Sequence, residues 1–172
     1  NEFECTDTAY TNVYVWKKPL VDAGNDVILF EGGTITLSGN ITGVFASFYW
    51  SPPTSITNNL TLSPTVNPVV TTVYTLHALS AWGCGEETDA VTVTVYPKIA
   101  PVNIFSPNGD GIHDTWVIPE LDKYPNAIVS VFDRYGRRVF FTEGYKRPWD
   151  GTYNGKSVAV ATYYYIIEPK LI

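Results

Sequence analysis

Methionine is absent from the 172 residues of this chain, and cysteine occurs only at positions 5 and 84. A chain without methionine does not include its own start codon, so we expect it to be a piece of a longer protein. Two isolated cysteines do not form a zinc-ligand pattern. No apolar run reaches the roughly 20 residues that span a bilayer, and the first residues lack a signal-peptide pattern. The sequence therefore predicts a chain that does not span the membrane.

Positive charge is missing from a long internal stretch, since no Lys or Arg occurs between Pro19 and Pro97. Residues 1–97 hold nine acidic and two basic side chains, a balance of −7, whereas residues 98–172 hold eight and nine, a balance of +1. The chain as a whole carries −6 and has no basic run, which argues against a nucleic-acid partner. The change in composition, with prolines at its centre, predicts two domains that meet at residues 97 and 98.

Helical periodicity is also absent, and short segments instead alternate apolar and hydroxyl residues with period two between Gly and Asn turns. These segments are 34–37, 73–77, 91–96, 127–132 and 163–167. The pattern predicts an all-β chain of two tandem β-sandwich, Ig-like domains. In the first of them, Trp50 is expected to be the buried tryptophan of the sandwich.

An internal repeat refines the domain boundaries. A Cys, an acid- and Thr-containing turn, an alternating strand and a Pro connector occur at residues 5–19 and again at residues 84–97. We therefore expect residues 1–18 to be the strand hairpin that ends a preceding Ig-like repeat, residues 19–97 to be one Ig-like repeat module and residues 98–172 to be a C-terminal domain. Chance similarity within Thr- and Val-rich sequence is the alternative.

Both halves resemble known families. Residues 22–37, 49–52, 71–76, 83–84 and 91–93 resemble the polycystic-kidney-disease-type, Ig-like modules of large Bacteroidetes surface proteins. The second half resembles the gliding-motility-associated C-terminal domain. This resemblance rests on the Ser-Pro-Asn-Gly-Asp-Gly block at residues 106–111, the Trp-Asp-Gly block at residues 149–151 and the Thr-Tyr-Tyr-Tyr block at residues 162–165.

The resemblance implies a sorting role. Domains of this family act as type-B signals for the type IX secretion system, whose translocon and a dedicated outer-membrane β-barrel partner leave the passenger on the cell surface. The chain would then be the C-terminal part of a large gliding adhesin, with no enzymatic activity. Because such domains continue past Ile167 through a turn into a last strand, the domain at 98–172 is expected to be incomplete at its end, and a loop missing before Lys170 is the alternative. The alternative is the carbohydrate-binding region of a secreted polysaccharide-degrading enzyme, with surface glycans as ligands.

Basic and aromatic side chains of the second half form the candidate docking surface for an acidic partner. Its predicted members are Arg134, Arg137, Arg138, Lys146, Arg147, Tyr163 and Tyr165. Three consecutive tyrosines occur at residues 163–165, and neighbours along a strand point to opposite faces of the sheet. One face is therefore expected to be core and the other exposed or covered by a partner. A solvated hairpin is the alternative for the basic residues.

The only candidate metal site is the loop that contains Asn108, Asp110 and Asp114, whose oxygen side chains and glycines suit Ca²⁺. An Asx turn, in which these side chains bind backbone N–H groups, is the alternative. A triad of Ser106, His113 and a neighbouring acid is not expected, because residues of one flexible loop cannot hold triad geometry. The remaining paired acids, Asp133 and Asp150, are expected to cap turns and not to catalyse glycoside hydrolysis.

Two smaller expectations concern the first half. Cys5 and Cys84 occupy equivalent positions one module apart, which is too far for a disulfide, so Cys84 is expected to be a free, buried thiol. Thr8 lies in Asp7-Thr8-Ala9, which is similar to the Asp-Thr-small pattern of O-glycosylation in this bacterial group.

Overall fold

The computed structural model describes residues 7–171, which form two compact units divided between residues 95 and 96. Regular structure in these residues is β, apart from one short 3₁₀ turn at Leu121–Lys123. The all-β prediction is confirmed. Within residues 7–171, no helix has the length and apolar character of a membrane span.

The first unit is built on one four-stranded sheet and two small two-stranded sheets. Its strands are β1 (Leu20–Asp22), β2 (Val27–Phe30), β3 (Ile35–Thr36), β4 (Asn40–Thr42), β5 (Phe45–Ser51), β6 (Thr65–Val66), β7 (Thr72–Ser80) and β8 (Glu86–Tyr96). The large sheet has the order β2-β8-β7-β5, and β1 pairs with β4 and β3 with β6. The two longest strands, β7 and β8, coincide with the most regular alternation in the sequence, which buries one face and exposes the other.

Trp50 is the centre of this unit's core, as predicted, and has no solvent exposure. It packs in a cluster with Tyr74, Leu76 and residues of β8, and its Nε1 donates to the Thr61 carbonyl at 3.0 Å. Gly39 makes room for the indole, because a Cβ there would lie 2.7 Å from Cζ2 of Trp50. The Trp50 indole can therefore be packed in this position because residue 39, which faces it, has no side chain.

Residues 7–19 contain no strand, which corrects the expectation of a strand hairpin for the part of residues 1–18 that the structure describes. The alternating segment Val13-Tyr14-Val15 is exposed throughout. A strand forms only when a neighbour satisfies its backbone N–H and C=O groups, and no described residue pairs with this segment. The first part of the expected hairpin, including Cys5, lies outside the described residues.

The second unit contains a three-stranded antiparallel sheet and one small hairpin. Its strands are β9 (Ile128–Phe132), β10 (Arg138–Glu143), β11 (Thr152–Tyr153), β12 (Lys156–Ser157) and β13 (Tyr164–Glu168). The sheet order is β10-β9-β13, and β11 pairs with β12 across the Asn154-Gly155 turn. One face of the sheet packs on a core formed largely by irregular segments, with Trp116, Leu121, Tyr124 and Trp149 buried.

Two of the three sequence blocks that carry the family resemblance, at residues 106–111 and 149–151, meet in this core. The Trp116 N–H donates to the Trp149 carbonyl at 2.7 Å, and the ring centroids of Phe105 and Trp149 lie 5.5 Å apart. Gly151, with φ +73°, is so close to Pro107 that a Cβ there would lie 2.8 Å from the proline Cγ. The Ser-Pro-Asn-Gly and Trp-Asp-Gly blocks therefore hold each other in place.

Candidate docking surface

Three of the predicted arginines, Arg134, Arg137 and Arg138, lie in or beside the turn between β9 and β10. Hydrogen bonds to Asp133 hold this turn in its conformation. One carboxylate oxygen of Asp133 accepts from the Tyr135 and Arg137 N–H groups at 2.9 and 3.0 Å. The other oxygen accepts from the Arg137 guanidinium at 3.0 Å. Partial burial raises the pKa of Asp133, but these hydrogen bonds and the Arg137 charge outweigh burial, so the pKa is lowered overall. Asp133 thus neutralises Arg137, while Arg134 and Arg138 form no ion pair within residues 7–171.

The remaining basic residues of the predicted surface lie elsewhere. Lys146 and Arg147 are exposed and follow the far end of β10 from Arg138. At about 3.4 Å per residue, the six residues of β10 separate the two ends by roughly 17 Å. The structure therefore divides the predicted basic patch into two groups. Arg134, Arg137 and Arg138 form one group at the turn, and Lys146 and Arg147 form the other.

The outward face of the sheet differs from the one predicted. Cross-strand partners share a face, and Tyr165 pairs with Val131 of the core, so Tyr163 and Tyr165 lie on the core side. Tyr163 packs edge-on against Trp149, and Tyr165 lies 5.1 Å from the Trp116 ring. Tyr165 is nevertheless 45% exposed, and the docking role of Tyr163 and Tyr165 stays a prediction.

The outward side chains of β13 are instead Tyr164 and Ile166, which are 60% and 54% exposed. Ile166 is in register with Ser130 of β9, which is in register with Phe141 of β10. Phe141 is 46% exposed, and the Arg138 guanidinium lies 4.5 Å from its ring centroid. We name Phe141, Tyr164 and Ile166, together with Arg138, the outer sheet face. It is an apolar surface with a cation at one end.

Beside the β9–β10 turn lies a groove of about 580 Å³, which we name the basic groove. Its walls are the turn at residues 133–137, the β11–β12 hairpin and the loop at residues 157–163. Arg134, Arg137 and Lys156 are its cations, and Asp133 is its only acid. Because Asp133 is already paired with Arg137, the groove carries a local excess of positive charge on a chain of net charge −6.

The candidate calcium loop is held together by its own side chains. Asp114 accepts from the N–H groups of Asn108 and Gly109 with one oxygen, at 2.9 and 2.7 Å, and from Gly111 with the other, at 2.8 Å. Asp110 accepts from the Ile112 N–H at 2.7 Å and from the Asn108 amide at 2.8 Å. The Gly109 and then the Gly111 hydrogen bond lower the pKa of Asp114.

These contacts favour the Asx-turn alternative for the loop, because they occupy the oxygens that a cation would need. Among residues 7–171, no group of three or more His, Cys, Asp or Glu side chains is arranged to hold a metal ion. Calcium binding by Asn108, Asp110 and Asp114 stays a prediction. Asp150, one of the two acids weighed for glycoside hydrolysis, likewise accepts from the Thr152 N–H and hydroxyl at 3.0 and 2.7 Å.

A hydrogen-bonded series on the first unit was not foreseen from the sequence. The Ser51 hydroxyl lies 2.8 Å from Nε2 of His77, and Nδ1 of His77 lies 2.9 Å from a Glu86 carboxylate oxygen. Only strand pairing brings these residues together, so no local sequence pattern could reveal them. Ser51 is followed by Pro52 and Pro53, which have no N–H to stabilise an oxyanion. We assign the series a structural role that links β5, β7 and β8.

The two smaller predictions for the first unit have different outcomes. Cys84 forms no disulfide within the described residues, but it is half-buried instead of buried. Cys84 is partly exposed because it lies in the turn after β7. Its Sγ lies 3.9 Å from the Trp16 carbonyl oxygen. Thr8 is exposed, and its glycosylation stays a prediction.

Comparison with known families identifies the second unit. Residues 99–171 match the family model described as the CHU_C Type IX secretion signal domain. Residues 99–171 are thus similar to type IX secretion signal domains, and this similarity supports export by the type IX secretion system to the cell surface or the extracellular space. No curated protein matches the chain.

Two solved structures are similar to this chain. One is a mutant complex of titin M10 with obscurin-like 1 Ig, with 17% identity, a TM-score of 0.36, and coverage of 48% of this chain and 96% of the other. The other contains the titin domains z1z2 in complex with telethonin, with 14% identity, a TM-score of 0.41 and coverage of 73% of each chain. Likenesses this weak add nothing to the fold described above.

Proposed function

We propose that this chain is the C-terminal part of a large cell-surface gliding adhesin, in which the second unit is a type-B export signal. The observation that carries the proposal is the match of residues 99–171 to a type IX secretion signal domain. Its partners would be the translocon and a dedicated outer-membrane β-barrel protein. The first unit would be a polycystic-kidney-disease-type, Ig-like repeat that acts as a spacer, and its repeat-like Cys-to-Pro pattern supports this role.

The outer sheet face is the surface that we propose the export machinery recognises. It combines apolar side chains with a cation, as protein-binding surfaces commonly do. Phe141 and Ile166 flank the small side chain of Ser130, so the centre of the face is a shallow depression between two large residues. A partner that buries this face would remove apolar area from water without disturbing the core on the other side of the sheet.

The export experiment uses a reporter that carries a signal peptide and is fused to the full chain together with any residues that follow it in the natural protein, in a bacterium with a type IX secretion system. We expect the wild-type fusion to reach the cell surface and the double variant Phe141→Thr/Ile166→Thr to be exported about tenfold less. Threonine keeps a high strand propensity, so the fold is retained while apolar area is lost. The matched control is Val69→Thr/Val70→Thr, which changes two exposed valines of the first unit. Retention of the wild-type fusion inside the cell would refute the export function.

A second candidate function is supported by exposed aromatic rings on the first unit. Trp16 and Trp82 stack with centroids 4.1 Å apart and are each about half exposed, and Tyr14 extends the stack at 6.1 Å. Trp82 has a stacking partner on one face only among these rings, and its half-exposed ring could stack on a sugar, which fits a carbohydrate-binding region of a secreted polysaccharide-degrading enzyme. A glycan array on which the full chain binds strongly, and Trp82→Ala does not, would favour this function.

A further inference from the structure

The basic groove has a pattern of charge that the outer sheet face does not share. Arg134 and Lys156 stand on different walls, one on the β9–β10 turn and the other on β12. Neither forms an ion pair with any acid among residues 7–171, whereas Arg137 is held by Asp133 at 3.0 Å. Two unpaired cations that face one cavity repel each other, and an anionic ligand between them relieves this repulsion.

The third wall is a loop of small and aliphatic residues that bends at Val160 and Ala161. It runs through Val158, Ala159, Val160, Ala161 and Thr162, most of them exposed. The loop is fixed at both ends, since the Val158 N–H donates to the Gly151 carbonyl at 2.9 Å and the Tyr163 hydroxyl donates to the Ala159 carbonyl at 2.8 Å. Small side chains on a loop that is held in place allow a second chain to approach its backbone closely.

The aromatic rings of the groove are already in contact with neighbours. The Arg134 guanidinium lies 5.0 Å from the Tyr135 ring centroid, and the Arg137 guanidinium lies 5.3 Å from that of Tyr153. The third ring, that of Tyr163, packs against Trp149. A sugar needs an open aromatic face for stacking, so these contacts favour a peptide over an acidic glycan.

We propose that the basic groove binds an acidic, extended peptide segment of the export partner, with carboxylates between Arg134 and Lys156 and its backbone along residues 158–162. The volume of about 580 Å³ lies in the range of small-ligand sites and accommodates a few residues. The identity of the partner rests on the proposed export function, whereas binding of an acidic peptide does not. The groove is distinct from the outer sheet face, because Phe141, Tyr164 and Ile166 do not line it.

The test is fluorescence anisotropy of the full chain with a labelled Gly-Glu-Val-Glu-Val-Glu-Gly peptide. We expect binding that weakens as salt is raised, because the contact is charge-assisted. The double variant Arg134→Glu/Lys156→Glu should weaken binding by about tenfold or more. The control Lys98→Glu/Lys123→Glu makes the same change of charge at exposed sites outside the groove and should bind like the wild type. Near-UV circular dichroism verifies that each variant is folded.

Three outcomes would overturn the inference. These are equal loss of binding in the control double variant, binding of the same peptide with Gln in place of Glu, and tighter binding of an oligogalacturonate than of the peptide. Export of the Arg134→Glu/Lys156→Glu reporter fusion at the wild-type level would show that the groove does not serve the export partner. The export function itself is judged separately, by whether the wild-type fusion reaches the surface.

Discussion

Gly151 is the residue through which the two sequence blocks of the second unit contact each other. Its φ of +73° is unfavourable for a residue with a side chain, and a Cβ would lie 2.8 Å from Cγ of Pro107. Gly155 has the same φ of +73°, but a Cβ there would meet nothing within 4 Å. Both glycines therefore adopt a left-handed backbone conformation, but only Gly151 is packed closely against another residue.

This difference leads to a paired prediction. Gly155→Ala should destabilise the second unit by about 1–2 kcal/mol, the cost of a left-handed conformation for a residue with a side chain. Gly151→Ala should cost more, because it adds a clash in a tightly packed region. Urea unfolding followed by tryptophan fluorescence measures both. Equal losses would mean that the contact between Gly151 and Pro107 contributes nothing to stability.

Tyr145 shows how a side chain from outside the family motifs supports them. Its hydroxyl donates to the Trp116 carbonyl at 2.5 Å and accepts from the Trp149 N–H at 3.1 Å. Burial raises the pKa of Tyr145 to about 12, so the phenol stays neutral and remains a donor at physiological pH. No local pattern marks this residue, because its two partners are reached only through the tertiary fold.

The loop at residues 106–114 is a small element whose stability depends on pH. Backbone N–H groups lower the pKa of Asp114, so its contribution to stability is present above the unfolded pKa of about 3.9. That contribution is lost as the pH falls through the lower, folded pKa. Asp133 and Asp150 also have lowered pKa values and act in the same direction.

We therefore expect the melting temperature of the chain to fall as the pH is lowered below about 4. In Asp114→Asn this fall should be shallower, because the variant has no carboxylate to protonate and its amide nitrogen cannot accept from the Gly111 N–H. Differential scanning calorimetry between about pH 5 and pH 2 measures the effect. Asp122→Asn, an exposed acid outside the loop, is the control and should follow the wild type. An unchanged slope in Asp114→Asn would contradict this account.

Strand β13 shows which structural features the local sequence pattern predicts and which it does not. Alternation correctly places Tyr163 and Tyr165 on one face and Tyr164 on the other. It does not say which face is the core, because that depends on pairing with Val131 of a strand more than thirty residues away. The sequence therefore predicted the strand and its alternation but not which tyrosines face the core, and the docking role of Tyr163 and Tyr165 stays a prediction.

Residues 7–19 do not form the strand that the sequence predicted, for a related reason. This segment is rich in apolar residues with strand propensity, as β8 is, yet β8 lies between two neighbouring strands and residues 7–19 pair with none among the described residues. Propensity alone does not satisfy the backbone hydrogen bonds of an isolated strand. The same limit applies to the series of Ser51, His77 and Glu86, and to the division of the basic residues between the two ends of β10.

The division of charge along the whole chain corresponds to a division of structure. The stretch without Lys or Arg makes up the sheets of the first unit, and the near-neutral remainder makes up the second. Each unit has its own core: Trp50 and Tyr74 belong to the first, and Trp116, Tyr124 and Trp149 to the second. Among the described residues, the second core contains none before Tyr96. We therefore predict that the second unit folds without the first.

We expect residues 96–172, expressed alone, to fold as they do in the full chain. Among the described residues, the buried cluster and its packed neighbours all lie within this fragment, so the fragment contains the complete core of the second unit. Its melting temperature should lie within about 4 °C of the second unit's transition in the full chain, a change below about 1 kcal/mol. Calorimetry of both samples, with near-UV circular dichroism from Trp116 and Trp149, measures this. Absence of a cooperative transition in the fragment would mean that the second unit depends on the first for its stability.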